Sequence, residues 1–347
     1  MLLLWSLSQA APVEAVGEQC TLASTVKVET EDGATIALHH HLGRGPPVIA
    51  VHGIASNHVF WDLDHEHSLA RWLSDHDWDV WLLDLRGHGD AQTDMQGRPQ
   101  LSGWKVDNYG EQDVPAAVDR VKRCTGYRNV AYIGHSMGGM VGAIYMAHGG
   151  DQDLSANIAV GSPVAFPADA SRLTGLARFA FAAGGTALLW FATPMAADLA
   201  AVLGPAVPGR LQERLYNKNN MDPATINPML QNIVSPLSRG EMRQFAHILK
   251  DGSFKSFHGE TDYLSALGKV TVPTLVIAGE GDEVAPAAWV QPYATAMGGE
   301  TRFVLAGPSN GFAQPYGHLD MGLGARVSTE VFPVILDWLN AHKPVRP

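Results

Sequence analysis

An apolar run that ends in a glycine-flanked serine constrains this chain more than any other stretch. Asn129-Val130-Ala131-Tyr132-Ile133 is β-branched and aromatic, as a strand buried on both faces should be. Gly134-His135-Ser136-Met137-Gly138 follows in the pattern G-x-S-x-G, and Met140 to His148 then carries small and apolar residues suited to a packed helix. A serine at such a strand-to-helix corner is forced into a tight turn. Its glycine neighbours let adjoining backbone pass close, and its oxygen is lifted clear of the sheet. The amide of Met137 opens the helix, where unpaired N–H groups and the helix dipole favour negative charge. A glycine-rich turn that merely contains a serine has the same letters. The strand before and the helix after make Ser136 the candidate nucleophile and Met137 a candidate oxyanion donor.

The other apolar runs build a sheet around that corner. Thr25 to Thr30 alternates, Asp32-Gly33 turns, and Thr35 to Leu38 resumes the alternation, which is a hairpin pattern. His39, His40 and His41 follow; neighbouring strand residues point to opposite faces, so the three cannot share one metal ion, and a solvated strand end is expected. Pro47 to Val51 reads as a buried strand leading into His52-Gly53, which makes the amide of Ile54 the expected second oxyanion donor. Leu69 to His76 reads as a helix and Trp78 to Leu83 as a strand. Asp84 and Arg86 behind it would serve as acid and substrate clamp or, the favoured reading, brace a loop. Tyr109 to Arg123 has apolar residues at helical spacing; Ala156 to Pro163, Val272 to Gly279 and Thr301 to Ala306 read as further strands, and Val331 to Leu339 as a closing helix.

Strands alternating with helices on both sides of a strandless segment argue for one α/β domain with a helical insertion. The expected divisions are an N-terminal stretch 1–20, a first core part 21–165, a cap or lid 166–265 and a second core part 266–347. Within the insertion, Phe179 to Ala197 is uncharged and 19 residues long, the length of a membrane span. Gly184-Gly185 and Thr193-Pro194 interrupt it, so two short buried helices fit better. Their Phe179, Phe181, Leu189, Trp190, Phe191 and Met195 are the candidate substrate-binding residues, roofing the serine for a greasy substrate.

Two candidates complete the chemistry. Asp282, in Gly279-Glu280-Gly281-Asp282-Glu283, is the first carboxylate with room to sit at the carboxyl end of a strand beside that of Ser136. Glu280 and Glu283 remain open as substitutes. His318, in the loop after the last strand, stands third in the order Ser, Asp, His, where the base is expected.

Charge narrows the partners. A formal net charge of -11 argues against nucleic acid or an anionic membrane as the main partner, since both need a basic footprint. Cys20 and Cys124 match no zinc spacing, and whether they pair is open. Met1 to Ala11 resembles the end of a signal peptide with Ser8-Gln9-Ala10 as its cleavage site, although no Lys or Arg precedes the short apolar core; the expectation leans to export, periplasmic or secreted, with a cytoplasmic protein as the alternative.

Taken in order, Val51-His52-Gly53, Asp84-Leu85-Arg86-Gly87-His88-Gly89, Gly134-His135-Ser136-Met137-Gly138-Gly139, Gly279-Glu280-Gly281-Asp282 and Gly317-His318 resemble the α/β-hydrolase superfamily over about residues 45–343. The resemblance implies the α/β-hydrolase fold: an eight-stranded, mostly parallel sheet with helices on both faces and a helical cap. It implies Ser136, Asp282 and His318 as the triad, and needs no cofactor and no metal. The run from His52 through Trp81, with Asp113 to Asp119, is similar to the acid-lipase branch. The Met137 after the serine departs from that branch's usual Gln, so substrate identity is not carried over. The expected activity is hydrolysis of hydrophobic carboxylic esters, of a small molecule or a lipid, with transient lipid-surface contact through the cap. Perhydrolysis, amide or C–C bond cleavage on the same triad, and a non-catalytic binding module, are the alternatives. Oligomeric state is left open.

Overall fold

The computed structural model describes residues 25–98, 103–166 and 214–346. Eight strands form one sheet: β1 (Thr25–Glu29), β2 (Thr35–His41), β3 (Pro47–Val51), β4 (Asp79–Asp84), β5 (Val130–His135), β6 (Leu154–Val160), β7 (Thr274–Gly279) and β8 (Thr301–Ala306). Their order across the sheet is β1-β2-β4-β3-β5-β6-β7-β8. The β1–β2 hairpin is antiparallel and β2 pairs antiparallel with β4; every pairing from β4 through β8 is parallel. This is the mostly parallel sheet that the resemblance implies, with β5 at its centre.

The labelled helices are α1 (Leu69–Asp75), α2 (Val114–Thr125), α3 (Met137–Ala147), α4 (Pro223–Asn232), α5 (Arg239–Asp251), α6 (Ala287–Ala296) and α7 (Val327–Ala341). Alternation along the strands sends side chains to two separate cores. Ile49, Val51 and Tyr132 pack with α2, α3 and α6 on one face, while Val48, Ala50 and Ile133 pack with α1 and α7 on the other. The continuous apolar character of β3 and β5 follows from this double cover. Helix α2 starts later than its periodicity suggests, because residues Tyr109–Asp113 wind as a π turn before it. Pro115, with no N–H to give, sits in the first turn of α2, where none is needed. Between β6 and β7 the described residues hold α4 and α5 and no named strand. Residues 1–20, Cys20 and the uncharged run 179–197 lie outside the described residues. No described helix is long and apolar enough to cross a membrane, and Cys124 is disulfide-bonded.

The histidine run of β2 corrects the expectation of a solvated strand end. The strand continues through all three residues, and each imidazole meets its own carboxylate: His39 with Asp84 at 2.9 Å, His40 with Asp79 at 2.7 Å, and His41 with Asp62 at 3.0 Å. His40 points to the opposite face from its neighbours and stacks on Trp81, with ring centroids 3.7 Å apart. The sequence carries no hint of these partners because each lies 20 or more residues away along the chain.

The corner between β5 and α3 is tightly packed. A Cβ on Gly134 would lie 2.4 Å from the backbone of Gly138 and Gly139, and one on Gly138 would lie 2.6 Å from the carbonyl oxygens of Val51 and His52. Both obstacles are main chain, which has no rotamer to yield. Gly134→Ala is therefore expected to cost about 1–3 kcal/mol or more of stability, read as a lower urea midpoint at unchanged m-value; an unchanged midpoint would contradict this account of the corner.

Candidate active site

Ser136 caps α3 with φ 52 and ψ −118, a left-handed conformation that L residues adopt rarely. Such strain costs about 1–3 kcal/mol and persists only where the surroundings over-determine it. Here they do. The Ser136 amide donates to the Val160 carbonyl on β6 at 2.8 Å, and Tyr132 on β5 donates its hydroxyl to the Gly138 carbonyl at 2.7 Å. Gly53 passes so close that a Cβ there would sit 3.2 Å from the Ser136 Cβ. The segment after β3 thus lies directly beside the serine.

The histidine and the acid arrive from the far end of the chain. His318 Nδ1 lies 2.7 Å from Asp282 Oδ2 with both side chains nearly excluded from solvent. The other carboxylate oxygen accepts the amides of Val284 and Ala285, each at 2.8 Å. A carboxylate can only accept, so Nδ1 carries the imidazole proton and Nε2 is left with its lone pair. The two substitutes for Asp282 fall away: Glu280 accepts from Ser309 Oγ, and the exposed Glu283 faces Arg214. His318 reaches the serine corner through two neighbours of Ser136. Its carbonyl accepts from His135 Nε2 at 3.0 Å, with the rings 4.7 Å apart, and a Cβ on Gly161 would lie 3.4 Å from its Nδ1. Gly161 follows the Val160 that holds the serine amide.

The two candidate oxyanion amides also have their supports. Met137 is the first residue of α3, so its N–H precedes the helix's own ladder. For Ile54 the support is His52, wholly buried. Its Nε2 accepts the Leu85 amide at 3.3 Å, so Nδ1 carries the proton and donates to the Gly53 carbonyl at 2.8 Å. That carbonyl belongs to the same peptide unit as the Ile54 N–H, and fixing one end orients the other. Ala55 follows with φ 52, its carbonyl taken by the Ser235 amide at 2.9 Å. Asn57 donates to the Asn232 carbonyl at 2.9 Å.

Several positioning groups have no local signature in the sequence. Asp320 is buried and accepts from the amides of Gly317 and Asn217 and from Asn220 Nδ2, tying the His318 loop to the strip 217–220 that precedes α4. Asp84 and Arg86 brace loops, as favoured, but not as a pair. Arg86 bonds Asp113 at 2.7 Å and Asp32 at 2.6 Å, while Asp84 takes both His39 and His58. Burial acts to raise the Asp84 pKa, yet the two imidazole bonds outweigh it and hold the carboxyl well below its usual range. Of the expected cap residues, Phe179, Phe181, Leu189, Trp190, Phe191 and Met195 lie outside the described residues.

Residues 46–307 match the family model described as alpha/beta hydrolase fold. Among curated proteins, the gastric triacylglycerol lipase of Bos taurus is 31% identical over 131 residues, 34% of this chain and 33% of its own. Lipase 1 of Drosophila melanogaster is 34% identical over 116 residues, 32% of this chain and 26% of its own. The chain thus spans a quarter to a third of the length of these curated relatives. Among solved structures, a thermophilic esterase from Thermogutta terrifontis superposes with a TM-score of 0.61 at 20% identity, covering 92% of this chain and all of its own. At that identity the likeness is one of fold.

Behind the oxyanion segment lies a buried pair of opposite habit. Burial, with His52 5.0 Å away, pushes the His88 pKa down to about 3. Burial likewise pushes Glu241, at the start of α5, up to about 8. Both are neutral at pH 7, facing each other at 3.9 Å. The signs then differ. Glu241 binds a proton more tightly folded than unfolded, so its contribution is full below about 4.5 and is lost as pH rises through about 8. His88 stabilises the fold above about 6.5 and loses that contribution as pH falls toward about 3. Glu241→Gln, which keeps an acceptor for Tyr109 and Ser238, is expected to flatten the decline in urea midpoint between pH about 4.5 and about 8. An identical decline in the variant would assign it elsewhere.

Proposed function

Because the chain belongs to the alpha/beta hydrolase fold family, we propose that it is a serine hydrolase of carboxylic esters with an apolar acyl or alcohol group, working through an acyl-serine intermediate. The observation that carries this reading is the 2.7 Å bond from His318 Nδ1 to Asp282, next to a serine strained out of the ordinary backbone regions. That bond leaves Nε2 as the free base. Ser136 Oγ gives its proton to Nε2 as it bonds to the ester carbonyl carbon, and the carbonyl electrons move onto oxygen. The amides of Met137 and Ile54 receive that oxyanion, a contribution of about 3 kcal/mol per donor in comparable sites. Collapse expels the alcohol, which takes the proton back from His318. Water then repeats the sequence on the acyl-serine and releases the acid. Asp282 keeps the ring in one tautomer and stabilises its charged form throughout.

Preference for esters draws support from the similar curated proteins, which are lipases. Preference for apolar substrates rests on the uncharged run 179–197. Described residues of the insertion lie against the site: Ser235 and Asn232 bond the segment that carries Ile54, and Asn217 and Asn220 bond the His318 loop.

Ser136→Ala and His318→Ala are each expected to lower kcat on an activated ester by about 10⁴-fold or more, in steady-state assays of protein with unchanged melting temperature. Full turnover in His318→Ala would move the base elsewhere. Rates on p-nitrophenyl esters are expected to climb from acetyl to medium acyl chains; a flat or falling series would remove the apolar roof from the proposal.

A further inference from the structure

Away from the serine, two imidazoles from different elements converge on one buried carboxylate oxygen. His39 Nε2 comes from the end of β2 at 2.9 Å, and His58 Nδ1 from the turn beyond the oxyanion segment at 2.8 Å; both meet Asp84 Oδ2 at the end of β4. The three donor atoms lie within 4.8 Å of one another. A fourth donor stands at the rim, with Asp90 Oδ2 3.9 Å from His39 Nε2. We propose that His39, His58, Asp84 and Asp90 form a structural site for one divalent transition-metal ion of the zinc class.

Donor chemistry selects the ion. Two imidazoles and two carboxylates suit zinc, whereas calcium and magnesium want oxygen ligands alone. Zinc bonds of about 2.1 Å in a tetrahedron separate neighbouring ligand atoms by about 3.4 Å. The two bonds to Asp84 are about half an ångström shorter than that, and the Asp90 separation about half an ångström longer. The His39 and His58 rings are stacked, with centroids 3.5 Å apart and planes 18° from parallel. Binding therefore requires one ring to rotate out of the stack to aim its lone pair at the ion, a side-chain change that leaves β2 and β4 in place. The outer partners a ligand set needs are also in place. Asp84 Oδ1 accepts the His58 amide at 2.7 Å, its Oδ2 accepts the Asp90 amide at 2.9 Å, and His39 Nδ1 meets Thr25 Oγ1 at 3.0 Å.

Access follows from exposure. The Asp84 side chain is sealed, those of His39 and His58 are 12% and 22% exposed, and that of Asp90 is 58% exposed. An ion enters past Asp90 and stops at the buried carboxylate. His40 and His41, turned toward Asp79 and Asp62, take no part. An ion here would tie β2, the end of β4 and the turn at His58 together. That turn follows the segment carrying Ile54, so the fold would be cross-linked just behind the oxyanion side of the site. Charge agrees: two carboxylates and two neutral imidazoles balance a dication.

The test uses the full chain, stripped with a chelator, dialysed, and titrated with zinc sulfate by calorimetry and with cobalt(II) by visible absorption. One equivalent of zinc is expected to bind and raise the melting temperature, and cobalt is expected to show the strong visible bands of a four-coordinate ion. His58→Gln should weaken zinc binding by more than about 100-fold, Asp90→Asn and Thr25→Val by about tenfold each. The metal-free melting temperature is expected to fall in His58→Gln, where buried Asp84 loses a partner, and to stay near that of the parent in Asp90→Asn and Thr25→Val. Absence of a one-equivalent event would overturn the proposal, leaving the cluster a hydrogen-bonded brace. So would binding that survives both His58→Gln and Asp90→Asn, which would place the ion on surface histidines such as His65 or His76.

Discussion

A serine held at φ 52 and ψ −118 stays there only if every neighbouring group forbids relaxation. The constraint is met mostly by main chain, with the Tyr132 hydroxyl on the Gly138 carbonyl as the side-chain exception. Val160 takes the Ser136 amide, Gly134 and Gly138 leave no room for a Cβ, and β3 passes beside the corner at Gly53. The parallel register of β3, β5 and β6 brings those three backbones together. Strain at the corner is thus sustained by the two cores on either face of the sheet. Loss of sheet packing and loss of the serine's geometry are the same event.

Around that corner, two loops are tied down by three buried polar groups rather than by more apolar packing. His52 orients the peptide that carries the Ile54 amide, His135 holds the carbonyl of His318, and Asp320 gathers the amides around it. A buried polar group without partners is costly, whereas a satisfied one fixes a single arrangement. Burial pushes the pKa of both His52 and His135 down, which suits uncharged rings acting as fixed donors. The same loops are bound to Asn217, Asn220, Asn232 and Ser235, between β6 and β7. Movement of residues 217–235 would therefore be felt both at the segment that carries Ile54 and at the His318 loop.

Much of this was legible from local pattern. The strand, glycine-flanked serine and helix at residues 129–148 declare their geometry within twenty residues, and the chain order of Ser136, Asp282 and His318 follows from where strands end. What stayed hidden depends on partners distant in sequence. Nothing near Asp84 announces His39 and His58, and nothing near His318 announces that Asp320 anchors its loop. Spacing favoured Asp282 but left Glu280 and Glu283 open, since a small offset along the chain changes where a carboxylate points. The run His39-His40-His41 shows the reverse error. Polar letters suggested solvent, while the fold supplied an aspartate for each ring. Periodicity reports which face is buried; it does not report what buried polar groups find there.

The central claim is that Ser136 is a nucleophile made reactive by His318. Intact-mass spectrometry after exposure to a fluorophosphonate, followed by peptide mapping, tests it most directly. The account predicts a single adduct on the peptide bearing Ser136, formed far more slowly when His318 is replaced by alanine. Equal labelling of Ser136→Ala, or an adduct mapped to another residue, would contradict it.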